Sequence, residues 1–338
     1  MKWIFLLLSL VITNFCENKK KLKNLDILTN KKVFIPGDTL KISLKKINKL
    51  EYDSIIYYED SKKINSVHVI GKKLGDKKIT VKVFKKNNFR QNSINIRVLS
   101  PFTPKLFTYK IINEYPHDIN SYTQGLEFYD NRLFESIGLR GKSELREIEF
   151  KSGEVIRSLT IDDAYFAEGL TLLNKKIYQL TWQSKIGFIY DLESFELIDS
   201  FQYKKSFEGW GLCNDGKLIY KSDGTSKIWI IKPDNLEEID FIQVTTNKSI
   251  ISKINEMEWI NGKIYANTYQ FNKDIVLIIN PETGSVEGVV DFNGLKKKVK
   301  NHPKIDVFNG IAYNKNSKTI FMTGKNWNKL FELQILKK

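Results

Sequence analysis

The sequence predicts an all-β protein: a five-bladed β-propeller preceded by a small immunoglobulin-like β-sandwich. Three observations carry that prediction. A short phrase of a polar or aromatic residue, a glycine and an aliphatic residue occurs at Gln124-Gly125-Leu126, Glu168-Gly169-Leu170, Trp210-Gly211-Leu212 and Asn309-Gly310-Ile311. Asn255-Glu256-Met257 is a degenerate further copy. The central positions, 125, 169, 211, 256 and 310, are spaced by 44, 42, 45 and 54 residues, and each copy is followed by a turn and several short apolar runs. Repeats of roughly 40 to 50 residues with several strands apiece mark propeller blades, which stack because none can bury both faces alone.

Residues 1–23 read as an export signal and tether. One lysine precedes the apolar run 3–12, and Cys16 follows. The run is too short to span a bilayer. Cys16 is placed as in a bacterial lipoprotein signal, where the thiol is lipidated, although Asn14 and Phe15 are larger than the residues usual before such a cysteine. The expectation is an exported lipoprotein of the periplasm, outer membrane or cell surface, held to the membrane through Cys16. A signal peptide that is simply cleaved is the alternative.

Residues 24–100 contain strand-like runs at 32–35, 39–44, 54–58, 78–84 and 93–99. Turn signals such as Pro36-Gly37-Asp38 and Gly75-Asp76 separate them. Length and strand number suit a small antiparallel sandwich. Nothing in it points to chemistry, so it reads as a spacer or adhesive module.

Residues 101–338 hold the repeats. Asn131, Asn174-Lys175, Asp215-Gly216 and Asn261-Gly262 are turn residues between alternating apolar runs, the hairpin signal of chains that need positive φ. Third and fourth strands follow in each unit. The last unit ends a strand short, and the run 106–115, lying before the first phrase, is the natural donor of the missing outer strand. Closure by both ends would hide edges that otherwise invite pairing.

Composition excludes several functions. The net charge of +15 comes from lysines spread along the whole chain, with no arginine stripe interleaved with aromatics, so no nucleic-acid partner is expected. The only cysteines are Cys16 and Cys213, which leaves Cys213 as a packed core thiol. The histidines, His68, His117 and His302, are scattered, and no P-loop, dinucleotide fingerprint or zinc helix occurs. No metal and no cofactor is expected.

Blades point equivalent positions at a shared channel. Gln124, Glu168, Trp210, Asn255 and Asn309 are therefore expected to converge, with Tyr122, Phe166, Trp182 and Tyr269 around them. Lys325 follows Gly324 where Trp182 and Tyr269 stand in their own repeats. One carboxylate, one lysine, several amides and many aromatics suit a small polar ligand in an apolar cup. Trp229, Trp259 and Trp327 read as packing between blades.

Several segments carry a resemblance: Tyr122-Thr123-Gln124-Gly125-Leu126, Phe134-Glu135-Ser136 through Gly138-Leu139-Arg140-Gly141, and Phe166-Ala167-Glu168-Gly169-Leu170-Thr171. So do Asn255-Glu256-Met257-Glu258 with Ala266-Asn267, and Thr323-Gly324-Lys325 with Leu330-Phe331-Glu332. In this order they resemble the glutamine cyclotransferases of the plant and bacterial β-propeller type, from about residue 115 to 332. The resemblance implies conversion of N-terminal glutamine in peptides or proteins to pyroglutamate with release of ammonia, without the zinc of the unrelated animal-type enzymes. It implies Glu168 as the catalytic glutamate, and Tyr122, Gln124, Phe166, Trp182, Trp210, Asn255 and Lys325 as pocket groups. Tyr122 stands where phenylalanine is usual and Tyr269 where tryptophan is usual.

The chemistry expected of these groups is simple. The α-amine attacks the γ-carboxamide of its own residue, and Glu168 moves one proton from attacking to departing nitrogen, first as base and then as acid. Lys325, the Gln124 and Asn255 amides and the Trp182 indole N–H are candidate donors to the oxyanion, while Phe166 and Trp210 pack on the methylenes. The enzyme is expected to act as a monomer. The alternative is a non-catalytic propeller that binds a peptide or glycan at the cell envelope.

Overall fold

The computed structural model describes residues 25–47, 51–270 and 273–338. Cys16 and the signal expected around it lie outside the described residues. No α-helix occurs among the described residues, and strands make up the core of both parts.

The N-terminal part comprises β1 (Ile27–Thr29), β2 (Val33–Phe34), β3 (Thr39–Leu44), β4 (Ser54–Glu59), β5 (Lys62–Ile64), β6 (Val67–Val69), β7 (Gly75–Lys85) and β8 (Asn88–Val98). They form two sheets, ordered β1-β3-β6 and β2-β8-β7-β4-β5. β3 alternates outward Thr39, Lys41 and Ser43 with inward Leu40, Ile42 and Leu44. Those inward residues share a core with Ile79, Val81 and Ile96 of the other sheet. The runs expected from the sequence are present. The additional β1, β5 and β6 span only three residues each, too few to show an alternating period.

β9 (Lys105–Pro116) leads into the repeats. The first unit is β10 (Thr123–Tyr129), β11 (Arg132–Ile137), β12 (Glu144–Glu149) and β13 (Glu154–Thr160). The next is β14 (Ala167–Leu173), β15 (Lys176–Thr181), β16 (Ile186–Asp191) and β17 (Leu197–Gln202). Then come β18 (Leu212–Asn214), β19 (Ile219–Ser222), β20 (Lys227–Ile231) and β21 (Glu238–Gln243). β22 (Ile254–Ile260), β23 (Lys263–Thr268), β24 (Ile275–Ile279) and β25 (Val286–Asp291) follow, and β26 (Phe308–Asn314), β27 (Thr319–Gly324) and β28 (Lys329–Lys337) end the chain.

Each of the first three units is an antiparallel sheet in chain order. The remaining strands form a single sheet ordered β22-β23-β24-β25-β9-β28-β27-β26. β9 lies antiparallel outside β28 along most of its length, in the place left open by the early end of the last unit. It also pairs in parallel with β25, Lys105 to Phe107 against Gly288 to Val290. Three of the hairpin turns match their sequences: Asp130 and Asn131, Asn174 and Lys175, and Asn261 and Gly262 all have positive φ, as primed turns require, whereas of Asp215-Gly216 only Gly216 does.

The first strands of the units pack on one another in a closed circuit: β10 on β14, β14 on β18, β18 on β22, β22 on β26, and β26 back on β10. The repeated glycine is what allows it. A Cβ on Gly125 would lie 2.6 Å from the Leu170 nitrogen, one on Gly169 2.5 Å from the Trp210 oxygen, and one on Gly211 2.2 Å from the Asn255 oxygen. The degenerate copy places Glu256 there instead. Its carboxyl accepts the backbone N–H groups of Leu126 at 3.3 Å and Ile311 at 2.9 Å, tying three first strands together.

Candidate active site

In four of the five copies the residue ahead of the central position sits where the hairpin ladder slips; Trp210 instead lies just before β18, whose ladder with β19 has no slip. Register shifts occur between Thr123 and Gly125, Ala167 and Leu170, Ile254 and Met257, and Phe308 and Ile311. A bulge re-aims the side chain at the slip. Second strands contribute at an equivalent point. The backbone N–H groups of Trp182, Tyr269 and Lys325 donate to the carbonyls of Phe166, Lys253 and Val307, each at 2.9 Å. Gly138 holds this place in the first unit, its N–H bonded to the Tyr122 carbonyl at 3.0 Å. A side chain there would collide with the Phe166 ring, 2.4 Å from the position of its Cβ.

Tyr122, Gln124, Phe166, Glu168, Trp182, Trp210, Asn255, Tyr269 and Lys325 line one cavity of about 220 Å³. The aromatic walls run continuously. Trp182 meets Phe166 at 5.6 Å between ring centres, and Phe166 meets Tyr122 edge-on at 6.3 Å. The Lys325 ammonium lies 4.7 Å from the Tyr122 ring centre and 5.3 Å from that of Tyr269, within cation–π range of both. Tyr269 then meets Trp210 edge-on at 5.9 Å.

Glu168 is 6 % exposed, and its carboxyl group has no hydrogen-bond partner among the described residues. Burial pushes its pKa well above the usual carboxylate range, the Lys325 charge pulls in the opposite direction, and the charge of Glu208 adds to the rise. Burial likewise lowers the pKa of the Lys325 ammonium, against the pull of Glu168 and Asp306. No ion pair within contact distance ties Lys325 to a carboxylate among the described residues, so its charge acts across the cavity.

Asn309 sets the polarity of the amides. Its Nδ2 donates to the Thr123 carbonyl at 2.8 Å and to Gln124 Oε1 at 3.4 Å. Its Oδ1 must then accept, and does so from Asn255 Nδ2 at 3.0 Å and Asn267 Nδ2 at 2.9 Å. The Thr123 carbonyl thereby fixes which end of each amide faces the cavity. Gln124 presents donors there, and Asn255 presents a carbonyl oxygen.

Two expectations need correction. Asn309 does not line the cavity; fully buried, it stands behind Gln124 and Asn255 with both ends of its amide engaged. The Trp182 indole N–H is not a spare donor, because it is held by Glu208 Oε2 at 2.7 Å. The Trp210 indole N–H reaches the same oxygen at 2.8 Å. The added hydroxyl of Tyr122 points away and donates to Asp306 Oδ2 at 2.7 Å, leaving the ring face to the pocket.

The tryptophans assigned to packing do pack. Trp327 is fully buried, Trp259 stacks on Tyr220, and Trp229 meets Phe241 while donating to Asp223 at 2.8 Å. Cys213 is a buried core thiol whose pKa burial raises well above the ordinary value. Sequence reasoning missed Glu208 and Asp306. A signal for Glu208 existed, since it stands two residues before Trp210, where Tyr122 and Phe166 precede Gln124 and Glu168.

Known proteins resemble this chain. A family model described as glutamine cyclotransferase matches residues 80–335, beginning inside β7. The chain is 37% identical over 229 residues to the glutaminyl-peptide cyclotransferase of Arabidopsis thaliana, covering 67% of this chain and 71% of the relative. It is also similar to the crystal structure of Myxococcus xanthus glutaminyl cyclase, with 36% identity and a TM-score of 0.63 over 69% of this chain and 98% of that one.

Proposed function

Since this chain belongs to the glutamine cyclotransferase family, we infer that its pocket is the seat of glutaminyl-peptide cyclisation, with Glu168 as the group that moves the proton. The observation that carries this is a buried carboxyl with no hydrogen bond, facing a caged ammonium inside an aromatic cup. Such a group is costly to the fold and has no structural work to do.

The reaction forms a bond between the α-nitrogen and the side-chain carboxamide carbon and breaks the bond from that carbon to its NH2 group. Ammonia leaves and the ring remains. Both reactants belong to one residue, so the cup has mainly to hold the folded-back rotamer between Phe166 and Trp210. A peptide α-amine titrates at about 7.7 to 8.0, so a neutral, nucleophilic fraction exists near neutrality. The Asn255 carbonyl is an acceptor suited to that amine.

Glu168 takes the proton released as the amine attacks and returns it to the departing nitrogen. A carboxyl raised toward the amine exchanges protons with it more evenly than an ordinary one would. The developing oxyanion is met by donors that remain unengaged: the Gln124 NH2 and the Lys325 ammonium. One well-aimed donor contributes about 3 to 4 kcal/mol to such a step.

The same reading extends to architecture. The four-stranded units and the circuit of first strands suit five propeller blades, closed by β9, and the two N-terminal sheets suit an immunoglobulin-like sandwich. An exported monomer, anchored through Cys16 and acting on peptides or proteins that begin with glutamine, fits the sequence. Mass spectrometry of the mature N-terminus tests the anchor: an unmodified N-terminus elsewhere removes it. Ammonia release from a glutamine-initiated peptide tests the activity. Turnover by wild type and its loss in Glu168→Gln is the expected result; full activity in the variant rules Glu168 out as the proton carrier.

A further inference from the structure

Taking the cup as the cyclisation site, we propose that Glu208 is a positioning residue for it. One carboxylate oxygen clamps both indole walls, and the buried Lys221–Glu238 pair fixes the backbone from which that oxygen acts.

The wall described above runs from Trp182 through Phe166, Tyr122, Lys325 and Tyr269 to Trp210, each neighbour in ring or cation–π contact. One gap remains, between Trp210 and Trp182, and Glu208 Oε2 closes it by accepting from both indoles at 2.8 and 2.7 Å. The two rings come from different units, and this shared acceptor sets their spacing. A carboxylate accepting two N–H donors makes stronger bonds than a neutral oxygen would.

Glu208 sits on a short segment between β17 and β18 that Tyr203 anchors in the core at its start, while Phe207, next to Glu208, is 70 % exposed. Near Glu208 itself, polar contacts hold it. The Glu208 carbonyl accepts from Lys221 Nζ at 2.7 Å, and the same ammonium donates to Ser206 Oγ at 2.5 Å. Glu238 accepts the backbone N–H groups of Lys205 at 2.6 Å and Ser206 at 3.2 Å, together with the Ser206 hydroxyl. Lys221 is fully buried, lies 4.2 Å from the Tyr203 ring centre and 3.8 Å from Glu238, and does not line the cavity. An internal ammonium of this kind is expensive to keep. Here it fastens the loop that carries the clamp.

Glu208 also reaches the reacting carboxyl through its charge. The charged and titratable groups that bear on Glu168 are Lys325 from the last unit, Glu208 from this loop, and the hydroxyls of Tyr122, Tyr203 and Tyr269. Among these, Glu208 opposes Lys325.

The test uses the full chain, Glu208→Gln, Lys221→Met and a glutamine-initiated peptide. In Glu208→Gln, kcat/KM is expected to fall about tenfold to a hundredfold through misplaced walls. Its low-pH limb in kcat should move to lower pH, a shift that a merely structural role does not produce. In Lys221→Met, KM should rise while that limb stays in place. Nitrogen-15 spectra should show the indole N–H signals of Trp182 and Trp210 moving in both variants, with those of Trp259 and Trp327 unmoved. Should Lys221→Met fail to fold, Ser206→Ala removes a hydroxyl shared by the same network and must move the same two signals. Unchanged kinetics and unmoved Trp182 and Trp210 signals in Glu208→Gln overturn the proposal. A wild type that releases no ammonia sinks the cyclisation reading instead, and the indole signals still test the clamp.

Discussion

Carboxyl groups are buried at both ends of the first strands, and they are treated differently. Glu127, Glu256 and Glu258 belong to one end and the axis; Glu168 belongs to the other. Desolvation raises all four, Glu127 to about 7 and the others well above the ordinary value. Glu127 accepts from the Thr171 hydroxyl at 2.6 Å and the Leu172 N–H at 3.2 Å, and Glu258 accepts the Tyr313 N–H at 2.9 Å. Glu256 bridges two strands as described. The Glu168 carboxyl accepts nothing among the described residues, although its backbone carbonyl accepts from the Ser136 hydroxyl. A larger hollow, of about 640 Å³, opens at the Glu127 and Glu258 end. Burial, a displaced pKa and cavity size therefore do not tell the proposed active end from the other. An unbonded carboxyl opposite a caged ammonium does.

The sharpest way to break this contrast is to remove the charge at each end in turn. Glu168→Gln should lower kcat by at least about a thousandfold, the scale of lost acid–base catalysis, while leaving the melting temperature unchanged or higher. Glu256→Gln should do the reverse. It leaves one of two buried N–H groups without an acceptor, a loss of about 1 to 3 kcal/mol in denaturant unfolding, with turnover per folded molecule retained. Equal stability losses in the two variants would erase the distinction.

Lys325→Met comes next, with an expected fall in kcat of about a hundredfold from the missing oxyanion donor. Its pH profile carries a sign. The ammonium favours ionised Glu168, so its removal raises the Glu168 pKa further and moves the low-pH limb of kcat to higher pH, opposite to Glu208→Gln. Shifts in the same direction for both would refute the opposed charges.

Stability against pH gives a smaller signal. A carboxyl whose folded pKa lies above its unfolded one stays protonated in the native state while the unfolded chain ionises. Stability then falls as pH rises from about 4.5 to the folded pKa, by up to about 1.4 kcal/mol per unit for each such group. The melting temperature at pH 5 should exceed that at pH 7, and Glu168→Gln should narrow the gap. The smallest effect is expected of Tyr122→Phe. It frees Asp306 but keeps the ring beside Lys325, so KM should change by less than about fivefold, within the modest net worth of one hydrogen bond.

Much of the fold was legible because one physical constraint recurs. Gly125, Gly169 and Gly211 each stand where a neighbouring strand's backbone leaves no room for a Cβ, so the period shows directly in the sequence. Glu168 and Lys325 were legible as members of that period. Asn309 occupies the same periodic place yet turns to other work, with Gly310 next to it at φ +110 and its amide spent on Thr123, Gln124, Asn255 and Asn267. Glu208 acts through space on Trp182, 26 residues earlier in the chain, and that pairing leaves no local pattern. The donor expected of Trp182 failed for the same reason.

β9 has a consequence for the order of events during synthesis. Lys105–Pro116 leaves the ribosome well before its principal partner, Lys329–Lys337. For most of the chain's production this long strand has a bare flank able to take up foreign strands. A nascent chain stalled before residue 329 should therefore be far stickier than one that has passed it, and whatever handles it in the cell must shelter that flank until Lys329–Lys337 arrives.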